Sequence, residues 1–190
     1  MTASDEYLAQ VRRAMIGMDS SVREDILREL RSHLAESMAA NGGNASASLA
    51  ALGPATQVGR HYRELYGYGR SYRLLFAVVA FLIAVPSVPV LIVGTESLFP
   101  FTLSIVFLLF AAMWILWVSV AAGARAGLVA GVGALVARFV AFGVATAVQP
   151  GAVTSAGGLS LLIVASAMLV ALGWVPGTAR KAWSGPRPEL

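Results

Sequence analysis

The sequence predicts an all-α protein: a small cytoplasmic helical domain followed by a four-helix transmembrane bundle. Composition is the first sign, because 57% of the 190 residues are hydrophobic and only 13% are charged. A soluble enzyme does not carry that profile. The second sign is segregation. Met1 to Tyr66 holds eight acids and seven arginines, whereas from Gly67 onward there are seven basic residues and two acids, Glu96 and Glu189. The net +4 therefore sits beside apolar runs, where a membrane-edge role explains it better than nucleic-acid binding. The third sign is the alternation, between those runs, of loops with and without basic residues. With no cysteine, disulfides, thiol nucleophiles and thiolate metal sites are excluded.

Thr2 or Ser4 can cap an opening helix in which Leu8, Val11, Met15 and Met18 share a face, stopping near Gly17. Ser21-Val22-Arg23-Glu24 reads as a capping box. A longer helix then runs to about Ala40 with the stripe Val22, Ile26, Leu30, Leu34 and Met38, and Asn41-Gly42-Gly43 stops it. A short helix over Ala47 to Leu52 ends at Gly53, and Pro54 opens a fourth whose Val58, Tyr62 and Leu65 face the same core. The head thus covers residues 1–66, with a juxtamembrane linker at 67–73. A domain of this size is marginally stable alone, which a bound partner or a homo-oligomer would relieve.

Between Arg73 and Glu96 lie 22 uncharged residues, and between Glu96 and Arg125 lie 28. A crossing needs roughly 20 apolar residues, so each interval holds one span. Spans are expected at about 74–93, 99–121, 126–148 and 159–175, followed by a basic tail at 176–190. Arg60, Arg63, Arg70 and Arg73 precede the first span, Arg125 marks the second loop, and Arg180, Lys181 and Arg187 lie in the tail. The two remaining loops have no basic residue. Basic loops stay inside, which places both termini in the cytoplasm of a cell with an inner membrane. Trp117, Trp174 and Trp183 then fall near the inner interface. The acidic, amphipathic opening is unlike a cleavable signal peptide.

The head carries a more specific pattern. Tyr7-Leu8, Met15 and Met18 precede the run Arg23-Glu24-Asp25-Ile26-Leu27-Arg28-Glu29-Leu30-Arg31-Ser32-His33-Leu34-Ala35-Glu36, and a glycine turn, Leu52-Gly53-Pro54 and Tyr62-Arg63 follow. This third of the chain resembles the HAAS-type signalling domain, although Gly17-Met18-Asp19 stands where a Leu-Pro turn is common in that family. The resemblance implies a helical head ahead of several membrane spans, encoded beside a PadR-like winged-helix transcription regulator and acting as its membrane-bound signalling partner. Contact with that regulator, or with another cytoplasmic protein, is expected at Arg23, Arg28, Arg31, His33 and Glu36.

In the membrane half the sharpest feature is Arg138, with 12 span residues before it and 10 after. A central arginine costs about 2.5–3.5 kcal/mol on translocon scales. Ala130, Ala134, Ala141 and Ala145 share its face, so it should point at another helix. Glu96, the other intramembrane polar candidate, is one conceivable partner; backbone carbonyls freed by Pro86 or Pro89 are the alternative. An interhelical tether and a sensing or solute-binding role both remain open. Sensing would fit a signalling protein, whereas a solute path through Arg138 would make the chain a small transporter or permease accessory subunit.

Gly123, Gly127 and Gly131 are spaced for close helix approach, more often within a bundle than between copies. Pro86 and Pro89 should kink the first span. Two histidines without ligand spacing do not compose a metal site, and no phosphate loop, nucleophile elbow or intramembrane carboxylate pair is present. No catalytic residue, cofactor or direct nucleic-acid contact is expected.

Overall fold

The computed structural model describes residues 2–88, 98–148 and 156–183, with side chains at 2–88, 102–148 and 159–180. The chain divides into two compact units, Met1–Tyr72 and Arg73–Leu190. No strand occurs among the described residues.

The first unit is a four-helix head. Helix α1 (Ala3–Ala14) starts at Thr2, whose hydroxyl accepts from the Asp5 amide while the Asp5 carboxylate accepts from the Thr2 amide. The reciprocal capping box expected at Ser21 therefore lies here instead. Helix α2 (Ser20–Ala40) is capped by Asp19, which accepts from the amide and the hydroxyl of Ser21. With its hydroxyl spent on Asp19, Ser21 sits inside the first turn, and Glu24 is turned toward Arg12 of α1 at 3.0 Å. Helix α3 (Ala45–Leu52) begins two residues earlier than expected because Asn44 accepts from the Ala47 amide. Helix α4 (Ala55–Tyr66) follows Pro54, which occupies the N-cap position.

The heptad-like stripes meet as their spacing demands. Leu8, Val11, Met15 and Met18 are buried with Ile26, Leu27, Leu30 and Ala55, and Val22, Leu49, Leu52, Val58 and Tyr62 pack around them. Tyr7 joins this core and donates its hydroxyl to the Gly53 carbonyl at 3.0 Å. Helices α1 and α4 run in parallel: Tyr7 meets Gly53 near their N-termini, and Gly59 faces Val11 and Ala14 so closely that a Cβ there would strike both. Helix α2 runs the other way, so that Met38 near its C-terminus receives the Ser4 hydroxyl of α1 at 3.6 Å. Leu65 departs from expectation and is 65% exposed. Helix α1 has ended by Ala14, leaving the last turn of α4 without a facing helix.

Among the described residues, four helices are long and apolar enough to cross a membrane. Helix α5 (Arg70–Ala84) passes into a 3-10 turn at Val85–Ser87 that contains Pro86, so the expected kink is a change of helix type. The expected end of this span beyond Val88 lies outside the described residues, as do Pro89 and Glu96. Helix α6 (Leu98–Ala122) and helix α7 (Ala124–Val148) are separated by Gly123 alone, at φ +91°, a left-handed turn that an L side chain resists. Gly123 is thus a turn residue and has no neighbour for a Cβ to strike, contrary to the packing role its spacing suggested. Helix α8 (Ala156–Trp183) continues through Pro176 instead of stopping at 175. A proline is tolerated where a neighbour satisfies the disturbed backbone, and here the Gly177 amide donates to the Ser119 hydroxyl of α6 at 3.0 Å.

Small residues set the packing, as they must where lipid supplies no hydrophobic drive between helices. Ala80, Ala84, Ala111, Ala126, Ala130, Ala134 and Ala137 are buried together with Ile115, Val118 and Leu169. A Cβ on Gly127 would strike the Gly173 carbonyl of α8 and Ser119 of α6, and one on Gly131 would strike the Leu169 carbonyl. Helix α5 is held by Trp114 of α6, whose indole N–H donates to the Phe76 carbonyl at 3.3 Å, and by Gly133 of α7 against Ala77.

Candidate functional site

Arg138 lies near the middle of α7 and is only 3% exposed. Ala130, Ala134 and Ala137 on the same side are buried, while Ala141 and Ala145 are half-buried, so the alanine face does turn the arginine inward. Its Nε donates to the Ser166 hydroxyl of α8 at 3.1 Å. Its Nη1 donates to the Ser87 hydroxyl at 2.7 Å and to the Ser87 carbonyl at 3.2 Å. The carbonyl is available because the first span leaves α-helical geometry around Pro86, the kind of partner the prolines suggested. The Ser87 hydroxyl in turn donates to the Ala84 carbonyl at 2.6 Å, which fixes its lone pairs toward the guanidinium. Among the described residues no carboxylate pairs with Arg138; Glu96 lies outside them.

The arrangement ties α7 to α8 and to the broken end of the first span. A planar guanidinium presents donors in several directions at once, which a lysine cannot reproduce. Both serines escaped the reading of the sequence. Their signal was a hydroxyl inside an otherwise apolar run, where it must find a partner. Nothing local in the chain joins positions 28 and 51 residues from the arginine.

On the head, the residues expected to meet a partner all lie on α2 but do not form one cluster. Arg28 and Arg31 are exposed and line a cleft between α1 and α2 together with Asp5, Arg12, Glu24 and Leu27. Asp5 and Arg12 belong to this cleft although the sequence did not single them out. Arg28 also lies 3.4 Å from Asp25. Arg23 is half-buried and stands 3.7 Å from Glu24. His33 is exposed between Glu29 and Glu36, at 3.8 Å from each, and Glu36 accepts weakly from the Ser32 hydroxyl at 3.4 Å. His61 lines a different, shallow groove with Arg60, Glu64 and Tyr62. Among the described residues no group of three His, Cys, Asp or Glu side chains could hold a metal ion. Exposed pairs of this kind each contribute at most about 1 kcal/mol, so the α2 face is held in place by the core beneath it and its charges stay available to a partner.

Two groups of the head carry shifted ionisation. The hydroxyl and amide of Thr2 hold the Asp5 carboxyl below its usual range. Burial, aided by Tyr62, raises the Tyr7 phenol.

No curated protein and no solved structure gives a significant match to this chain. A family model does match its head: residues 6–60, which span α1 through the first half of α4, fit the family described as HAAS. The match thus lies within the first unit and covers under a third of the chain.

Proposed function

We propose that the chain is a multi-pass regulatory protein of the inner membrane whose cytoplasmic head binds a PadR-like winged-helix regulator and holds it at the membrane. The observation that carries this reading is the pairing of a HAAS domain with four membrane-capable helices in one chain. The charged α2 face supports it, because Arg28 and Arg31 border an open cleft and Arg23, His33 and Glu36 extend the same helix. Regulation acts by sequestration without catalysis: when the bundle shifts, the head's affinity shifts with it, and a coupling of about 1–3 kcal/mol is enough to change occupancy severalfold. The basic flanks Arg70, Arg73 and Arg125 favour a cytoplasmic placement of both termini.

The transporter alternative placed Arg138 in a solute path. Its hydrogen bonds to Ser87 and Ser166 favour a tether. The test uses the full-length protein in detergent and a purified PadR-like winged-helix regulator. Saturable binding that weakens about tenfold or more, about 1.4 kcal/mol, on joint Arg28→Glu and Arg31→Glu substitution is the expected result. Absence of binding, or binding indifferent to both substitutions while Arg138→Ala abolishes uptake of a solute, overturns the proposal.

A further inference from the structure

The head has an apolar end that its own core does not use. Helices α1 and α4 are parallel, so their C-terminal ends lie together, and the exposed large apolar side chains of the head gather there: Ile16 at 55%, Leu65 at 65% and Tyr66 at 60% exposure. This same end carries the start of the first span. Only Gly67, Tyr68 and Gly69 separate α4 from α5, and the Gly69 amide donates to the Gly17 carbonyl at 2.8 Å. Tyr68 lies flat enough on Gly17, whose φ is +97°, that any side chain there would strike its ring. The turn after α1 is therefore fastened beside Arg70, where the membrane-capable stretch Arg70–Ser87 begins. Ile16 is the neighbour of the fastened residue, so it cannot lie far from where the chain enters lipid.

We infer that this end of the head is a lipid-docking surface, with Ile16, Leu65 and Tyr66 seated in the interface of an anionic bilayer. Two observations choose lipid over a protein as the occupant. One is the three-residue connection to α5 together with the Gly17–Gly69 bond, which keeps this end within a few residues of the start of the membrane-capable stretch. The other is charge: Arg13 and Arg63 stand in the last turns of α1 and α4 and Arg70 opens α5, which suits anionic headgroups. A tyrosine beside aliphatic side chains is the mixture favoured at a bilayer interface. Docking there leaves the cleft between α1 and α2 and the distal end of α2 facing water.

The chain has no cysteine, so single spin labels report on the intact protein. Ile16→Cys, Leu65→Cys and, at the opposite end of the head, Ala39→Cys are labelled in full-length protein in nanodiscs containing phosphatidylglycerol. Collision with lipid-soluble oxygen and with an aqueous nickel chelate is then compared. The expected result is a severalfold higher ratio of oxygen to nickel accessibility at positions 16 and 65 than at 39, with the two labels about 5 Å or more below the headgroup level. Equal accessibility to nickel at all three positions overturns the inference. So does shielding of positions 16 and 65 from both reagents, which would mean that protein covers them.

Discussion

Removing the Ser87 hydroxyl should cost clearly more stability while Arg138 is present than in its absence. Arg138 makes three hydrogen bonds, at 3.1 Å to Ser166 and at 2.7 and 3.2 Å to Ser87. Interhelical hydrogen bonds in membranes average about 0.6 kcal/mol and reach about 1.7, so together they return about 2 kcal/mol at the mean. Burying the arginine costs about 2.5–3.5 kcal/mol. The two nearly cancel, and Arg138→Met should change stability by less than about 1.5 kcal/mol, as replacing a buried charge with an apolar group often does. Ser87→Ala behaves differently, because it strips the shortest contact from a charge that stays buried, and about 1–1.7 kcal/mol should be lost. In the Arg138→Met background the same substitution should cost under about 0.5 kcal/mol. The bond from the Ser87 hydroxyl to the Ala84 carbonyl is lost in both backgrounds and cancels in the cycle. Unfolding in mixed dodecylmaltoside and dodecyl sulfate micelles, followed by tryptophan fluorescence, gives the four stabilities. An equal cost of Ser87→Ala in both backgrounds would refute the reasoning.

Further outcomes follow from the same packing. Gly127→Ala should destabilise the bundle by about 1–3 kcal/mol by overpacking, since its Cβ would meet the Gly173 carbonyl and Ser119, whereas Gly143→Ala, with open space around it, should be neutral in the same micelle titration. Tyr7→Phe should lower head stability by about 0.5–1.5 kcal/mol through loss of its bond to Gly53. Because burial raises the Tyr7 phenol, its contribution is complete below the unfolded value of 10.0 and is lost as pH rises through the folded value. Thermal melts should therefore show an alkaline decline that Tyr7→Phe reduces. Asp5 has the opposite sign: bonds from Thr2 depress it, so its contribution is present above 3.8 and is lost as pH falls through the folded value. Asp5→Asn should flatten that acid limb of the melting profile.

Much of this architecture was legible in the chain because it rests on periodicity and run length. The buried stripe Leu8, Val11, Met15 and Met18 and the stripe through Ile26, Leu30 and Leu34 follow helical spacing alone. The apolar runs announce their helices because a bilayer fixes the length required. The inward turn of Arg138 was also legible, since alanines on its face leave room for a neighbour. Less visible was whatever depends on which helices meet. Leu65 fits the stripe of α4 yet is exposed, because α1 ends before reaching it. The fourth span was expected to end at 175, yet α8 runs on through Pro176, where Ser119, 58 residues away, accepts from Gly177. Gly173 carries no better local signal than Gly123, yet only Gly173 is pressed against a neighbouring backbone. The charges of α2 were placed on the right helix, but their division between the cleft and the outer face depends on where α1 lies.

The proposal that the head holds a regulator at the membrane is tested most directly by where that regulator resides. A fluorescent fusion of the proposed PadR-like regulator would be imaged in cells with the intact chain, without it, and with Arg28→Glu and Arg31→Glu together. A peripheral ring that requires the chain and is lost in the doubly substituted strain is the result predicted. A regulator distributed identically in all three strains would contradict the account.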